Sequence, residues 1–237
     1  MKTTVMIATR NRAAQLELTL ESFARLYLQS KFSGVRFLVV DDGSTDETPD
    51  LLKEFGSLIE VHRIEREGGY RKNPSAVLNL GHRLADSDIV IEQGAEVVHL
   101  TDCITPLVEA CRPGVIALAR VFNGDVARME AERYFIKGDC YHFPDDVMPD
   151  RVQTNGDLHQ VPESGMPPAQ IYCGAERQAP FQFLGATHRH DFDAIGGYDE
   201  QRSRRNDEDY ANRMQARGVR FNFLGRAIGF HLRHGKS

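Results

Sequence analysis

Residues 35–46, VRFLVVDDGSTD, constrain the fold more than any other stretch of this chain. An apolar run rich in β-branched residues stops at two aspartates, Asp41 and Asp42, followed by Gly-Ser-Thr-Asp. That is the pattern of a buried parallel strand running into a loop at its carboxyl end. Two adjacent carboxylates repel each other and resist burial, so their presence there points to a ligand or cation. Ligands of open α/β sheets bind just outside the carboxyl ends of the strands. Asp, Gly and Ser are also ordinary turn residues, so this run alone leaves a simple turn open.

The rest of the chain repeats the strand–helix alternation. TVMIAT at 4–9 reads as a first strand, and 12–28 as a helix with Leu16, Leu20, Phe23 and Tyr27 on one face and Asn11 as its N-cap. Further strands are expected at 35–40, 59–63, 88–93 and 114–122, with helices at 48–55, 74–85 and 102–111. Asn73 and Pro74 supply a helix start. Such alternation predicts an α/β fold, a doubly wound, mostly parallel sheet covered on both faces. Residues 1–122 form its nucleotide-binding half. Residues 123–180 read as an irregular insertion, broken by Pro144, Pro149, Pro162, Pro167 and Pro168 over 138–180 and suited to a lid. Residues 181–237 form an acceptor-side half with a strand at 181–187, a helix at 207–217 stopped by Gly218, and strands at 219–224 and 227–232.

With 237 residues the chain can bury one large core. A formal net charge of −5 argues against a general polyanion binder, whose affinity would come from clustered Lys and Arg. The four cysteines, Cys103, Cys111, Cys140 and Cys173, form no CxxC pair, which disfavours a zinc knuckle and suits a reducing compartment. The first residues, MKTTVMIATRNR, are too soon charged for a signal peptide, and no apolar run approaches the ~20 residues of a membrane span. A cytoplasmic location is expected.

Three acidic positions carry candidate chemistry. The first loop, ATRNRA, lacks the glycines that let a dinucleotide pyrophosphate approach a helix terminus, so an NAD or FAD site is rejected. The fourth strand leads to Glu96, a candidate ligand for Mg²⁺ or Mn²⁺, with Glu92 behind it. Asp207, Glu208 and Asp209 crowd the first turn of a helix, where the macrodipole favours acids and where one could act as a general base. His231 and His234 in FHLRHGKS could complete a cation's coordination.

The ordered series ATRNR, VVDDGSTDETPDLL, NLGHRLADSDIVIEQGAE, FLGATHRHDFDAIGGYDE, NDEDYANR and FHLRHGKS resembles the inverting family-two glycosyltransferases of the GT-A fold. Its last third is similar to their galactosyltransferase-type C-terminal region, and the likeness spans nearly all but 124–180. The resemblance implies a nucleoside-diphosphate sugar donor, with UDP as the expected nucleotide, held through a divalent cation. It places Thr9 and Arg10 beside the base, Asp42 near base or ribose with Asp41 next to it, and Arg71 and Lys72 near the diphosphate. Asn79 and Gly81 match an Asn-x-Gly in the third helix. Gly94–Glu96 replaces the family's Asp-x-Asp metal motif, leaving Glu96 as its carboxylate and giving His234 more weight. Glu208 and Asp209 match the Glu-Asp motif, with Asp209 as the expected base. Gly185 would allow close approach of ligand, and Asp199 and Glu200 would orient acceptor hydroxyls. The acceptor could be a glycan, a lipid-linked sugar or another hydroxyl.

Two other functions fit parts of the chain. A sugar nucleotidyltransferase shares the sheet and metal but usually needs a glycine-rich, lysine-bearing first loop. A binder of nucleotide-sugar or glycan without turnover would explain Gly94, though not the acids at 207–209.

Overall fold

The computed structural model describes residues 1–27, 34–66, 73–124, 136–137, 140–141, 151–154, 157–160, 183–202 and 206–232. An eight-stranded mixed sheet organises them. Its strands are β1 (Thr3–Thr9), β2 (Val35–Asp41), β3 (Glu60–Arg63), β4 (Ile89–Gly94), β5 (Val97–His99), β6 (Val115–Gly124), β11 (Leu184–His188) and β12 (Arg220–Leu232). They lie in the order β3-β2-β1-β4-β11-β6-β12-β5. The pairs β1–β2, β1–β4, β2–β3 and β6–β12 are parallel; β11 runs antiparallel to β4 and β6, and β5 antiparallel to β12. The expected mostly parallel, doubly wound sheet is therefore present, with β11 as a reversed strand at its centre.

Period-two alternation decides which helix covers which face. From β1, Val5 and Ile7 join Phe37 and Val39 of β2 under α1 (Ala13–Tyr27), with Leu16, Leu20 and Phe23 wholly buried. Met6, Leu38 and Val40 face the other way, under α3 (Pro74–Ala85). On α3, a Cβ added at Gly81 would stand 2.8 Å from Met6 Sδ, so glycine lets the helix sit down on the sheet. Helices α2 (Thr48–Glu54) and α4 (Ile104–Ala110) contribute Leu51, Leu52, Ile104 and Leu107 to the α1 face. Helices α5 (Arg189–Ala194) and α6 (Asn206–Ala216) share the α3 face, packing Phe192, Tyr210 and Met214 against Ile116 and Leu118 of β6. Each such fully buried large apolar side chain contributes roughly 1.5–3 kcal/mol.

Several local expectations change. Asn11 does not cap α1. It adopts a left-handed φ of 50° and its side chain bonds Thr45 instead. The helix is capped across the loop: Ala13 N–H donates to Asp46 Oδ2 and Arg12 N–H to Thr48 Oγ1, each at 3.3 Å. The cap by Asn73 on α3 is present, accepting from Ala76 N–H at 3.2 Å, and Gly218 ends α6 with φ 79°. Strands β5 and helix α5 were not foreseen, and the two C-terminal strands are one, β12, with a register shift between Leu224 and Ile228. Within 123–180, two short antiparallel pairs form, β7 (Ile136–Lys137) with β8 (Cys140–Tyr141) and β9 (Arg151–Thr154) with β10 (Asp157–Gln160), where an irregular run was expected. The lid role of the remainder falls outside the described residues.

Among the described residues, no helix is long and apolar enough to cross a membrane. Cys103 and Cys111 are free and buried, and burial pushes both thiols up to about 12, so they pack as inert apolar groups.

One buried polar group sets an acid limit on stability. His99 is fully enclosed, and burial brings its imidazole down to about 3, helped by the Arg25 charge. The unfolded chain takes up this proton near pH 6.5 while the native state refuses it until about pH 3. The stabilisation is complete above pH 6.5 and falls with acidification at about 1.4 kcal/mol per pH unit. Urea unfolding midpoints should drop between pH 6.5 and 5, and a His99→Gln variant should lose most of that slope.

Candidate active site

A cleft of about 500 Å³ opens where β1, β2 and β4 end and α3 begins. Its walls include Thr9, Arg10, Asn11, Asp42, Pro74 and Glu96. Thr9, Arg10, Asp42 and Glu96 are thus brought together from three loops. Thr9 is 4% exposed, and its Oγ1 has no hydrogen-bond partner among the described residues. A buried hydroxyl left that way costs ~1–3 kcal/mol, which a polar ligand in the cleft would recover.

The two aspartates of VVDDGS part company. Asp41 turns away from the cleft: its Oδ2 receives Arg63 Nη1 at 2.5 Å and its Oδ1 the Ser44 N–H at 2.9 Å. Arg63 Nη2 also donates to Ser44 O, so the Asp41–Arg63 pair staples the turn. The expected ligand contact for Asp41 is replaced by this pairing. Asp42 faces the cleft, where Arg66 Nε donates to its Oδ1 at 2.8 Å and Arg66 Nη2 reaches the same oxygen. Arg10 Nη1 spans the Asp42 and Gly43 carbonyls at 2.5 and 2.6 Å. Gly43 has φ +67° and no room for a Cβ, which would stand 2.8 Å from Arg66 Cγ. Glycine at this position is therefore what lets Arg66 lie against the loop.

On the far rim, Glu96 Oε1 lies 3.4 Å from His231 Nε2, and the ring of Phe183 packs on His231. A carboxylate and an imidazole are suitable donors for Mn²⁺, and the open space beside Gly94 is filled by the Glu96 carboxylate itself, 3.3 Å from a would-be Cβ. These two residues fit a divalent cation that would take its remaining ligands from elsewhere. Among the described residues no group of three His, Cys, Asp or Glu could hold an ion by itself. Glu92 is not part of this rim. It is buried, with Tyr198 OH donating to Oε1 at 2.7 Å and His82 Nε2 3.1 Å from Oε2. Arg71, Lys72 and His234 lie outside the described residues.

Asn79 and Gly185 hold structure instead of lining the cleft. Asn79 clamps the GGYDE segment, donating to Tyr198 O and Glu200 Oε1 and accepting from Tyr198 N–H, all within 2.9 Å. Gly185 sits in β11 between Glu92 and Leu118. The segment 199–202 rests on the start of α3, with Asn73 Nδ2 donating to Glu200 O and Ser75 Oγ to Arg202 O. Because α6 precedes β12, which is parallel to β6, its first turn lies at the same sheet edge as the cleft.

That first turn sorts its acids. Asp209 is committed to arginines: Arg213 Nε at 2.7 Å and Arg202 Nε at 3.2 Å. Glu208 is half-buried. Asp207 heads the stripe Asp207, Tyr210, Ala211 and Met214, spaced i, i+3, i+4 and i+7. Burial pushes its carboxyl up; the helix's first N–H groups oppose this, while the charges of Glu208 and Glu92 add to it. Helical spacing could have singled out Asp207 from sequence, because the partner that takes Asp209, Arg213, stands at i+4.

The glycosyl transferase family 2 model matches residues 4–156. The chain belongs to that family. Within 114 residues it is 31% identical to a dolichol-phosphate mannosyltransferase of Pyrococcus furiosus, an overlap covering 48% of this chain and 31% of that protein. Solved structures share the family-2 chain's GT-A fold at low identity. S. aureus TarS superposes with a TM-score of 0.66 at 12% identity, over 98% of this chain and 37% of TarS. PcManGT, a mannosyltransferase from Pyrobaculum calidifontis in complex with GDP-Man and Mn²⁺, gives 0.62 at 17%, over 100% and 58%. GalNAc-T7 with UDP, GalNAc and Mn²⁺ gives 0.66 at 15%, over 99% and 44%. The chain spans about a third of the length of the mannosyltransferase it matches in sequence.

Proposed function

We propose that this family-2 chain is an inverting, metal-dependent glycosyltransferase that moves a sugar from a nucleoside-diphosphate sugar, UDP-linked in the first instance, to an acceptor hydroxyl. The supporting observation is the cleft itself, which gathers Thr9, Arg10, Asp42 and Glu96 at the strand ends. The nucleotide lies along Thr9 and Arg10, with Asp42 toward base or ribose. Glu96 and His231 would hold the cation, with Arg71, Lys72 and His234 further candidates for the diphosphate and metal. A bound cation supplies Lewis-acid stabilisation of the departing diphosphate.

Asp207 replaces Asp209 in this reading as the base. A raised carboxyl is a better proton acceptor than an ordinary one, and the Asp209 oxygens are occupied by Arg213 and Arg202. Asp207 takes the proton from the acceptor hydroxyl as that oxygen attacks the anomeric carbon opposite the phosphate. The carbon–phosphate-oxygen bond breaks, the configuration inverts, and the sugar passes through an oxocarbenium-like state. Glu200, whose carbonyl accepts from Asn73 at the start of α3, and its neighbour Asp199 would border the acceptor side.

A binder without turnover is favoured only by Gly94, which removes one carboxylate from the metal motif. Nucleotide release separates the two. A panel including UDP-GlcNAc and GDP-Man, incubated with Mn²⁺ and the protein, should give slow UDP or GDP release from at least one donor. Donor-induced thermal stabilisation with no release across the panel would instead establish the binder.

A further inference from the structure

A chain of buried polar groups runs from the start of α4 to the turn that carries Glu96. Every backbone carbonyl of that turn is bonded. Gln93 Nε2 donates to Val97 O at 3.0 Å and reaches Gly94 O at 3.5 Å. Thr19 Oγ1 donates to Ala95 O and Leu232 N–H to Glu96 O, both at 2.9 Å. Because the Gln93 amide nitrogen is used on the turn, its Oε1 faces His99 Nε2 at 2.7 Å. That fixes the tautomer: Nε2 carries the proton, and Nδ1 accepts from Tyr27 OH at 2.6 Å. The Tyr27 oxygen in turn accepts the Cys103 N–H at 3.1 Å, and Ser22 Oγ accepts the His99 N–H. The His99 ring is walled by Phe23 and Tyr27 at centroid distances of 5.0 and 5.6 Å.

Apolar residues would fill this volume without the desolvation cost of an amide, an imidazole and a phenol. What the polar groups add is direction: each has one partner geometry, and the last of them, Gln93, holds the Val97 carbonyl and reaches that of Gly94, the two residues that flank the Ala95–Glu96 turn. We propose that Gln93, His99 and Tyr27 are positioning residues that set the Glu96 carboxylate for the divalent cation. The proposal rests on Glu96 being the cation's ligand. With Gly94 contributing no carboxylate, the site depends on one well-aimed acid, so loss of its support should be felt strongly. Outer-shell partners of metal ligands typically account for about 10–100-fold in affinity.

The test is a Mn²⁺ titration of the full chain with UDP present, read by the electron paramagnetic resonance signal of free Mn²⁺. His99→Phe keeps an aromatic ring against Phe23 and Tyr27 but removes both ring hydrogen bonds. It should weaken Mn²⁺ about 10–100-fold while thermal unfolding stays cooperative, and metal-free UDP binding should be unchanged. His99→Gln, which retains a donor and an acceptor, should return most of the loss; a role in packing alone would predict the reverse ranking. Wild-type Mn²⁺ affinity in a folded His99→Phe protein, beside loss of affinity in Glu96→Gln, overturns the positioning role alone. Unchanged affinity in Glu96→Gln overturns the ligand assignment and the proposal with it. Should His99→Phe fail to fold, Gln93→Met carries the same expectations and the same refutation.

Discussion

Asp207→Asn should lower turnover about 10²–10⁴-fold with donor binding intact. Asp209→Asn should do something different. It cuts two guanidinium contacts, loosening α6 from the 199–202 segment, and should show mainly as lost stability with turnover reduced far less. The two carboxylates are two residues apart, yet helical geometry sends one to the buried stripe and the other to Arg213. Proton removal requires ionised Asp207, so activity should fall as pH drops through its raised value, higher than the ordinary carboxylate near 3.8. Nucleotide-release rates of both variants against pH check the assignment: equal turnover in Asp207→Asn and wild type would remove Asp207 as base.

Arg63→Ala should destabilise the fold by about 3 kcal/mol, because it leaves the Asp41 carboxylate, 1% exposed, without its cation. The estimate is the low end for a broken buried pair, since the Arg63 side chain is itself 37% exposed and water replaces part of the contact. Asp42→Asn should spare the fold comparatively and act on the ligand. Losing a charge-assisted hydrogen bond in the cleft is worth about 1.5–3 kcal/mol, or roughly 10–100-fold in donor affinity. Chemical denaturation of the first variant and calorimetric UDP titration of the second separate the paired acids. If Asp41→Asn weakens UDP while leaving unfolding unchanged, the division drawn between them is wrong.

The first half of the sheet, and the edge at which its loops gather, are legible from residue order alone. Strand runs such as FLVV are buried on both faces, so their apolar continuity and the polar loops that end them are local properties that need no knowledge of neighbours. The same holds for the Asn73 cap and the Gly218 stop, whose partners lie within a turn of chain. What a side chain does once buried depends on groups far along the chain. Asp41 and Asp42 are adjacent in sequence, yet Arg63 and Arg66 from the next strand and its exit sort one into the turn and one into the cleft. Asn79 matches a motif, but Tyr198 and Glu200, more than a hundred residues on, make it a clamp. Only the tertiary structure could set these pairings, because a carboxylate or amide is assigned by the partner that compensates its desolvation, and periodicity carries no record of that partner.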